Sequence, residues 1–369
     1  MKDRTKVLVV GQTPPPIGGQ AMMIKYMLDG NYEKLEFYHV RMHFSRDFNE
    51  RGRFSLYKLI HLVEVIVKAW ITRFRKHTTV LYYPISSSPR VALLRDVVIL
   101  LFIRCLFKKT VFHFHAAGVS EEIPKYNWLF RIIIVCILKK PDLSITSSDH
   151  NPKDGEFLKA KRVAIIPLGI PDDNTNKERT TYNTDKPLKV LFVGLMNSSK
   201  GEGYLLDAWR LLAQKGISVE VWLAGRFESK EYEKELCNWI EKNGLTNSVK
   251  YWGVVSGKEK KELYLGADVF CFPSFFPSES FGIVLLEAMM YQMPLIASRW
   301  RGVQSVVSEG ENGFLVNIRR SDQIAHVIEK LHKERNLLIT MGKKSRTMFE
   351  DKYRIERYLK EIEGNISMI

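Results

Sequence analysis

The run GIPDDNTNKERTTYNTDKPLKVLFVG (169–194) divides the chain. Its first part, residues 169–187, is polar, contains prolines and shows no apolar periodicity, which is the composition of a linker. Its last part, LKVLFVG (188–194), is a short apolar run closed by glycine and reads as a buried strand. Five such runs follow the division, counting that one: 188–194, VEVWLAG (219–225), VKYWGVV (249–255), DVFCFP (268–273) and PLIAS (294–298). Six precede it: KVLVVG (6–11), EFYHVR (36–41), TVLYYP (79–84), TVFHFH (110–115), LSITS (143–147) and RVAIIP (162–167). Longer segments of helical character lie between several of them, at 19–29, 55–75, 90–107 and 126–139. Strands alternating with helices predict βαβ units and parallel sheets, and near-continuous apolar strands suit a sheet covered on both faces. The expected fold is therefore α/β, with two doubly wound, Rossmann-like domains (1–170 and 188–350) facing a cleft at the carboxyl edges of their strands. A final helix within 351–369 is expected to pack back across the interface.

A length of 369 residues suits two such domains. The 45% hydrophobic and 26% charged fractions exclude a disordered chain. The first apolar run is too short for the core of a signal peptide. VVILLFI (97–103) and IIIVCIL (132–138) fall far short of the ~20 residues of a membrane span. The chain is therefore expected not to cross a membrane. Cys105, Cys136, Cys237 and Cys271 are scattered through apolar segments without zinc or disulfide spacing, and are expected to be buried thiols of a cytoplasmic protein. Charge is lopsided: residues 1–170 hold 27 Lys+Arg against 14 Asp+Glu, a net +13 of the total +15. Such a half suits an anionic partner, such as phospholipid head groups, a polyphosphate-bearing acceptor or nucleic acid, and reads also as a generally basic soluble surface.

The stretch PSFFPSESFGIVLLEAMMYQMPLIAS (273–298) carries the strongest local chemistry. A strand ends at Pro273, and an apolar helix is expected to begin near Phe281. That places Glu279, Ser280, Phe281, Gly282 and Ile283 at a helix N-terminus, where free amides and the dipole favour a diphosphate. Glu287 follows in an apolar helix, where a carboxylate needs hydrogen-bond partners; ribose hydroxyls would serve. Taken singly, either glutamate also reads as an ordinary cap or helix-face residue. Eight residues of helix separate the two glutamates by about 12 Å along the axis. Glycosidase pairs need about 5–9.5 Å, so binding at two ends of an extended ligand fits better.

Three loops add to this. In VGLMNSSKGEGYLLDAW (193–209), Lys200 sits at a strand-to-helix turn, where it can neutralise a leaving diphosphate; the Walker spacing is absent. In QTPPPIGGQAMM (12–23), Gly18 and Gly19 let a ligand approach the backbone; the dinucleotide pattern G-x-G-x-x-G is absent. HFHAAG (113–118) ends a strand, with His113 and His115 on one sheet face. His115 reads equally as a donor to a sugar group and as a satisfied structural histidine.

In order and spacing, these segments resemble the family-4 retaining glycosyltransferases of the GT-B fold (glycosyl transferases group 1). The resemblance is densest over 188–317 and rests on Glu-x7-Glu (279–287), AMMYQMPLIAS, GENGFLV (310–316), Lys200-Gly201 and IPLGI (166–170). It implies that Lys200 contacts the donor diphosphate, Glu279 holds donor-sugar hydroxyls and Glu287 the ribose. It further implies that the amides of Ser280 to Ile283 hold sugar and phosphate, with Gly253 and Val254 beside the base. Gly18 and Gly19 would approach the phosphate and His115 the transferred sugar. Such enzymes attack from the front face, with the leaving phosphate helping to deprotonate the acceptor, and need neither metal nor cofactor. The chain departs from the pattern at Leu195, where an arginine often stands, so that Arg226 or another residue would assist Lys200, and at Gln304, often a glutamate.

The implied function is transfer of a sugar from a nucleotide-diphosphate sugar, UDP ahead of GDP. The acceptor would be a glycan or lipid-diphosphate-linked glycan of surface-polysaccharide assembly. Arg90, Arg95, Arg104, Lys108 and Lys109 are candidate contacts to an anionic membrane surface, around a helix that reads equally as sheet-covering core. Two other readings are a nucleotide-sugar 2-epimerase of the same architecture and a non-catalytic, basic nucleic-acid-binding protein. The latter lacks any recognition helix, zinc finger or aromatic-basic motif, so no nucleic-acid partner is expected.

Overall fold

A computed structural model of the chain describes residues 4–44, 56–87, 89–174 and 186–369. The chain forms two compact units, one of residues 1–170 with 355–369 and one of 171–354. The first runs β1 (Thr5–Gly11), α1 (Gly19–Asp29), β2 (Leu35–Arg41), α2 (Leu56–Lys76), β3 (Val80–Pro84), α3 (Arg90–Ile103), β4 (Lys109–Phe114), α4 (Val119–Glu122), α5 (Trp128–Leu138), β5 (Leu143–Thr146), α6 (Asp154–Phe157) and β6 (Val163–Ile165). The second runs β7 (Leu188–Val193), α7 (Glu202–Gln214), β8 (Val219–Ala224), α8 (Lys230–Lys242), β9 (Val249–Tyr251), α9 (Gly257–Gly266), β10 (Val269–Phe272), α10 (Ile283–Met290), β11 (Leu295–Ser298), β12 (Gly313–Val316), α11 (Ser321–Lys333) and α12 (Asn336–Lys352). A last helix, α13 (Ile355–Ile366), belongs to the first unit. There Tyr358, Ile362 and Ile366 are buried, and Arg162 donates to Asn365 Oδ1 at 2.8 Å. The chain leaves and re-enters this unit side by side, with Ile355 N donating to Ile170 O at 3.0 Å.

Both sheets have six parallel strands, in the orders β2-β1-β3-β4-β5-β6 and β12-β11-β10-β7-β8-β9. Every residue of β3 and of β10 is buried, as the unbroken apolar runs require of strands covered on both faces. In each sheet the chain winds outward in one direction and then returns to wind the other way. The reversal falls between β1 and β3 in the first sheet and between β7 and β10 in the second. Loops leaving such neighbours diverge and open a crevice at the carboxyl edge. Here those loops are 12–18 and the one that leaves β3 at residues 85–87, and 194–201 and 273–282.

Several expectations need correction. The strand expected over 249–255 stops at Tyr251, because Gly253 takes a left-handed φ of 66° and turns the chain away. GFLV, read only as part of a motif, forms the edge strand β12. Most of the expected linker, residues 175–185, lies outside the described residues, as does residue 55 of the expected helix 55–75. Cys271 is buried, but Cys105, Cys136 and Cys237 are exposed. An apolar neighbourhood in the sequence did not mean an interior position, because α3 and α5 show apolar residues to solvent as well as to the core.

Most of the cations expected around α3 are engaged in the protein. Arg95 pairs with buried Asp96 at 2.6 Å and lies over the Phe44 ring. Arg104 donates to the carbonyls of Ile137 and Lys139. Arg90 pairs with Glu122 and Lys109 with Asp142, whereas Lys108 is exposed.

Candidate functional site

The loops after β7 and β10, neighbours at the reversal of the second sheet, bring Lys200 and Glu279 together across 79 residues of sequence. Lys200 Nζ lies 2.5 Å from Glu279 Oε2, and both side chains are largely shielded from water. Asn197 shapes the lysine loop, its Oδ1 accepting from the amides of Ser199 and Lys200 at 3.1 Å each. The loop is tied to its neighbour by Phe275 N donating to Ser199 O at 2.8 Å. The ammonium sits 4.6 Å from the Phe276 ring centroid and 5.6 Å from that of Phe272, a poorly hydrated setting that strengthens its pull on an anion. Ser274 Oγ donates to the same Glu279 oxygen at 3.2 Å. An ammonium has three donors, so Lys200 can hold Glu279 and a phosphate oxygen together.

Gly201 follows at φ 89°, where a Cβ would lie 2.3 Å from Pro273 O; only glycine lets the two loops approach this closely. Glu202 then opens α7, fully buried, with Oε1 accepting from Tyr232 at 2.7 Å and Oε2 lacking a partner among the described residues. Burial pushes its carboxyl up to about 7. A carboxyl with a raised folded-state value binds more protons folded than unfolded. It therefore costs stability as pH rises from the ordinary carboxylate range through about 7. Glu202→Gln is expected to raise stability at pH 8 by about 1–2 kcal/mol and to flatten that slope. Thermal unfolding at pH 5 and pH 8 checks this; an equal change at both would refute it.

Glu287 stands on α10 with both oxygens engaged, Oε1 by Lys260 Nζ at 2.6 Å and Oε2 by the Tyr264 hydroxyl at 2.7 Å. The need for partners inferred from its apolar helix is thus met by α9. Each carboxylate oxygen still has a lone pair for a ligand hydroxyl. The helix begins at Ile283, two residues beyond Phe281, so Glu279 lies in the preceding turn and helical rise does not measure the separation of the two glutamates. Gly282 caps α10 at φ 84°, with Ser280 and Phe281 buried ahead of it.

The remaining positions line the same edge. Met196 N donates to Arg226 O at 2.8 Å, which puts Arg226 on the segment next to Leu195. Gly225 N donates to Gly253 O at 2.7 Å, aligning the ends of β8 and β9, with Val254 exposed beyond. Gln304 lies in a short 3-10 turn, Arg301–Val306, after β11.

In the first unit, Gly18 precedes α1, and no atom stands within 4 Å of where its Cβ would be. His115 follows β4, its ring stacked on that of His113 at 3.8 Å between centroids. The Tyr82 hydroxyl lies 2.5 Å from His113 Nδ1 and 3.4 Å from His115 Nε2. Burial drives His115 down to about 3, so near neutrality it offers an uncharged imidazole. Sequence reasoning missed Asn197, Glu202, Lys260, Tyr264 and Tyr82. Only Lys260 and Tyr264 carried a signal, as polar residues four apart in the segment between two expected strands, 249–255 and 268–273.

Residues 173–348 match the family described as glycosyl transferases group 1. An uncharacterized glycosyltransferase of Haemophilus influenzae is 30% identical over 207 residues, 56% of each chain. The capsular polysaccharide biosynthesis glycosyltransferase CapM of Staphylococcus aureus is 27% identical over 52% of this chain and 49% of its own. The chain thus spans about half the length of these curated relatives. The crystal structure of Anabaena Alr3699/HepE in complex with UDP superposes with a TM-score of 0.72 at 18% identity, covering 99% of this chain and 100% of that one. The two parallel sheets give the chain the GT-B fold, and the match to the group 1 glycosyltransferases spans nearly all of its second unit.

Proposed function

We propose that the protein transfers a sugar, with retention of anomeric configuration and without a metal, from a nucleotide-diphosphate sugar to a glycan or lipid-linked glycan acceptor at the cytoplasmic face of a membrane. UDP is the favoured nucleotide, and surface-polysaccharide assembly the favoured setting. The observation that carries this reading is the Lys200–Glu279 pair at the strand reversal, flanked by Glu287 on its Lys260–Tyr264 support. A shielded cation beside a carboxylate suits the place where a diphosphate joins a sugar: the ammonium meets phosphate charge and the carboxylate accepts from sugar hydroxyls. A second carboxylate held open by two donors suits a ribose. The UDP held by HepE and the capsular role named for CapM support the choice of nucleotide and pathway. His115, uncharged, would donate to or accept from a sugar hydroxyl, and catalysis would consist of positioning and phosphate-charge stabilisation.

Glu287→Ala is expected to weaken UDP binding about tenfold, the size of one lost hydrogen-bonding carboxylate. Calorimetric titration of the folded variant checks this, and unchanged affinity would remove Glu287 from the donor site. Incubation with UDP-sugars and acceptor-bearing membranes, followed by NMR of the new linkage, tests the reaction. A retained anomeric configuration is expected. An inverted one would overturn the mechanism, and acceptor-free release of UDP with an epimerised sugar would favour the 2-epimerase reading.

A further inference from the structure

Among the described residues, eighteen of the twenty-four exposed large hydrophobics lie on three helices, α2, α3 and α5. These helices lead into the neighbouring strands β3, β4 and β5. Their inner residues, including Val65 and Ala69 of α2, Leu93 and Leu100 of α3 and Ile134 of α5, share one buried cluster with Leu81 and Phe112 of the sheet, so all three cover the same sheet face. They also touch one another: Trp70 Nε1 donates to Phe102 O at 3.0 Å, and Arg73 Nε to Leu106 O at 2.8 Å. Arg104 fastens the end of α3 to the end of α5.

The outer side of this layer should be polar. On α2, however, Ile60, Val63, Val67, Ile71 and Phe74 recur at helical spacing and face water, opposite buried His61, Val65 and Ala69. Val98, Leu101 and Phe102 of α3 do the same. On α5, Trp128 is 73% exposed and Leu129, Ile132 and Ile133 are also exposed. A contiguous apolar surface of this extent marks an interaction site.

Charge identifies the occupant. Residues 56–76, 90–108 and 128–140 carry twelve Lys+Arg against two acids. Of the two, Asp96 is buried on Arg95 and Glu64 is paired with Lys68. The exposed cations gather at the helix ends, with Arg75 and Lys76 closing α2, Lys108 just after α3, and Lys139 and Lys140 closing α5. An apolar face rimmed by cations complements an anionic bilayer, whose acyl boundary takes the apolar side chains and whose phosphates take the rim. A second copy of the chain fits poorly, because a two-fold contact through this face would set cations against cations.

We propose that the outer face of α2, α3 and α5 docks on the surface of an anionic lipid bilayer, lying in the interface without spanning it. No described helix is long and apolar enough to span. The carboxyl edge of the sheet, where His115 stands, is the edge nearest the amino ends of these antiparallel helices, and so nearest exposed Trp128 and Leu129.

The test is flotation of the full chain with vesicles of phosphatidylcholine alone and of phosphatidylcholine with phosphatidylglycerol. The protein is expected to float with the anionic vesicles, less at high salt, and weakly with the neutral ones. Phe74→Glu combined with Leu129→Glu should lower vesicle affinity at least tenfold, while the thermal shift produced by UDP is unchanged. Should that variant not fold, lipids brominated on their acyl chains serve with the unmodified chain: its tryptophan fluorescence should be quenched, and less so in Trp128→Phe. Failure to float with anionic vesicles, flotation untouched in the folded double variant, or absence of quenching would each overturn the proposal. So would a dimer in light scattering that the same substitutions dissociate. UDP binding is read separately, so docking can fail while the donor site stands.

Discussion

Lys200→Ala is expected to lower sugar-transfer turnover by about 10²–10³-fold, the range for removing one preorganised group that stabilises transition-state charge. The lysine's value comes from its setting. Two aromatic rings and the loop of residues 273–282 keep water from its ammonium, and Asn197 fixes the loop that carries it. Its loss would leave Glu279 Oε2 to the Ser274 hydroxyl, so the carboxylate would be held less well against the sugar. The two residues should therefore behave as one unit. The Lys200→Ala/Glu279→Ala double variant is expected to be hardly worse than either single variant, and strict additivity would contradict the pairing. Circular dichroism should be unchanged, since neither residue belongs to the core.

The second large effect is on the fold. Gly225 has φ 131°, and a Cβ there would lie 1.8 Å from Gly194 O. Gly225→Ala must push apart the ends of β7 and β8, which are joined by the bond from Gly194 N to Ala224 O at 2.9 Å. A loss of more than about 3 kcal/mol is expected, from the strained backbone together with the displaced strand end. UDP binding should fall with it, because Met196, Asn197 and Arg226 hang from those ends. Gly203 is the contrast. It lies inside α7 with open space around it, so Gly203→Ala should be neutral or slightly stabilising. Thermal unfolding of the two variants separates these outcomes, and equal melting temperatures would refute the steric account.

Much of the fold was legible because buried parallel strands announce themselves. KVLVVG, TVLYYP and LKVLFVG are apolar at nearly every position, and a two-sided sheet gives such strands no polar face. The weakest strands were misjudged for the same reason. In β9 only Val249 is even partly covered, so its sequence says little about where it stops, and β12 is a four-residue edge led by glycine. Site residues on helix ends and strand-to-helix turns were legible as types: a glycine, a lysine, two glutamates. Their partners were not. The Lys200–Glu279 contact depends on β7 and β10 being neighbours, which follows from strand order and not from spacing. Lys260 and Tyr264 meet Glu287 because α9 packs beside α10, and Tyr82 reaches His113 across two adjacent strands. The exposure of Cys136 and of the outer faces of α3 and α5 was hidden too, since a helix that is apolar nearly all round reads from sequence as core.

The central claim is that the second unit binds a nucleotide diphosphate through Lys200 and Glu287 without a metal. The most direct measurement is calorimetric titration of the chain with UDP, GDP and ADP, each with and without EDTA. The account predicts saturable binding of UDP, weaker binding of the other two, no change with EDTA, and loss of the signal in the folded Lys200→Ala/Glu287→Ala variant. Folded protein that binds none of the three, or that binds equally well without Lys200 and Glu287, would contradict it.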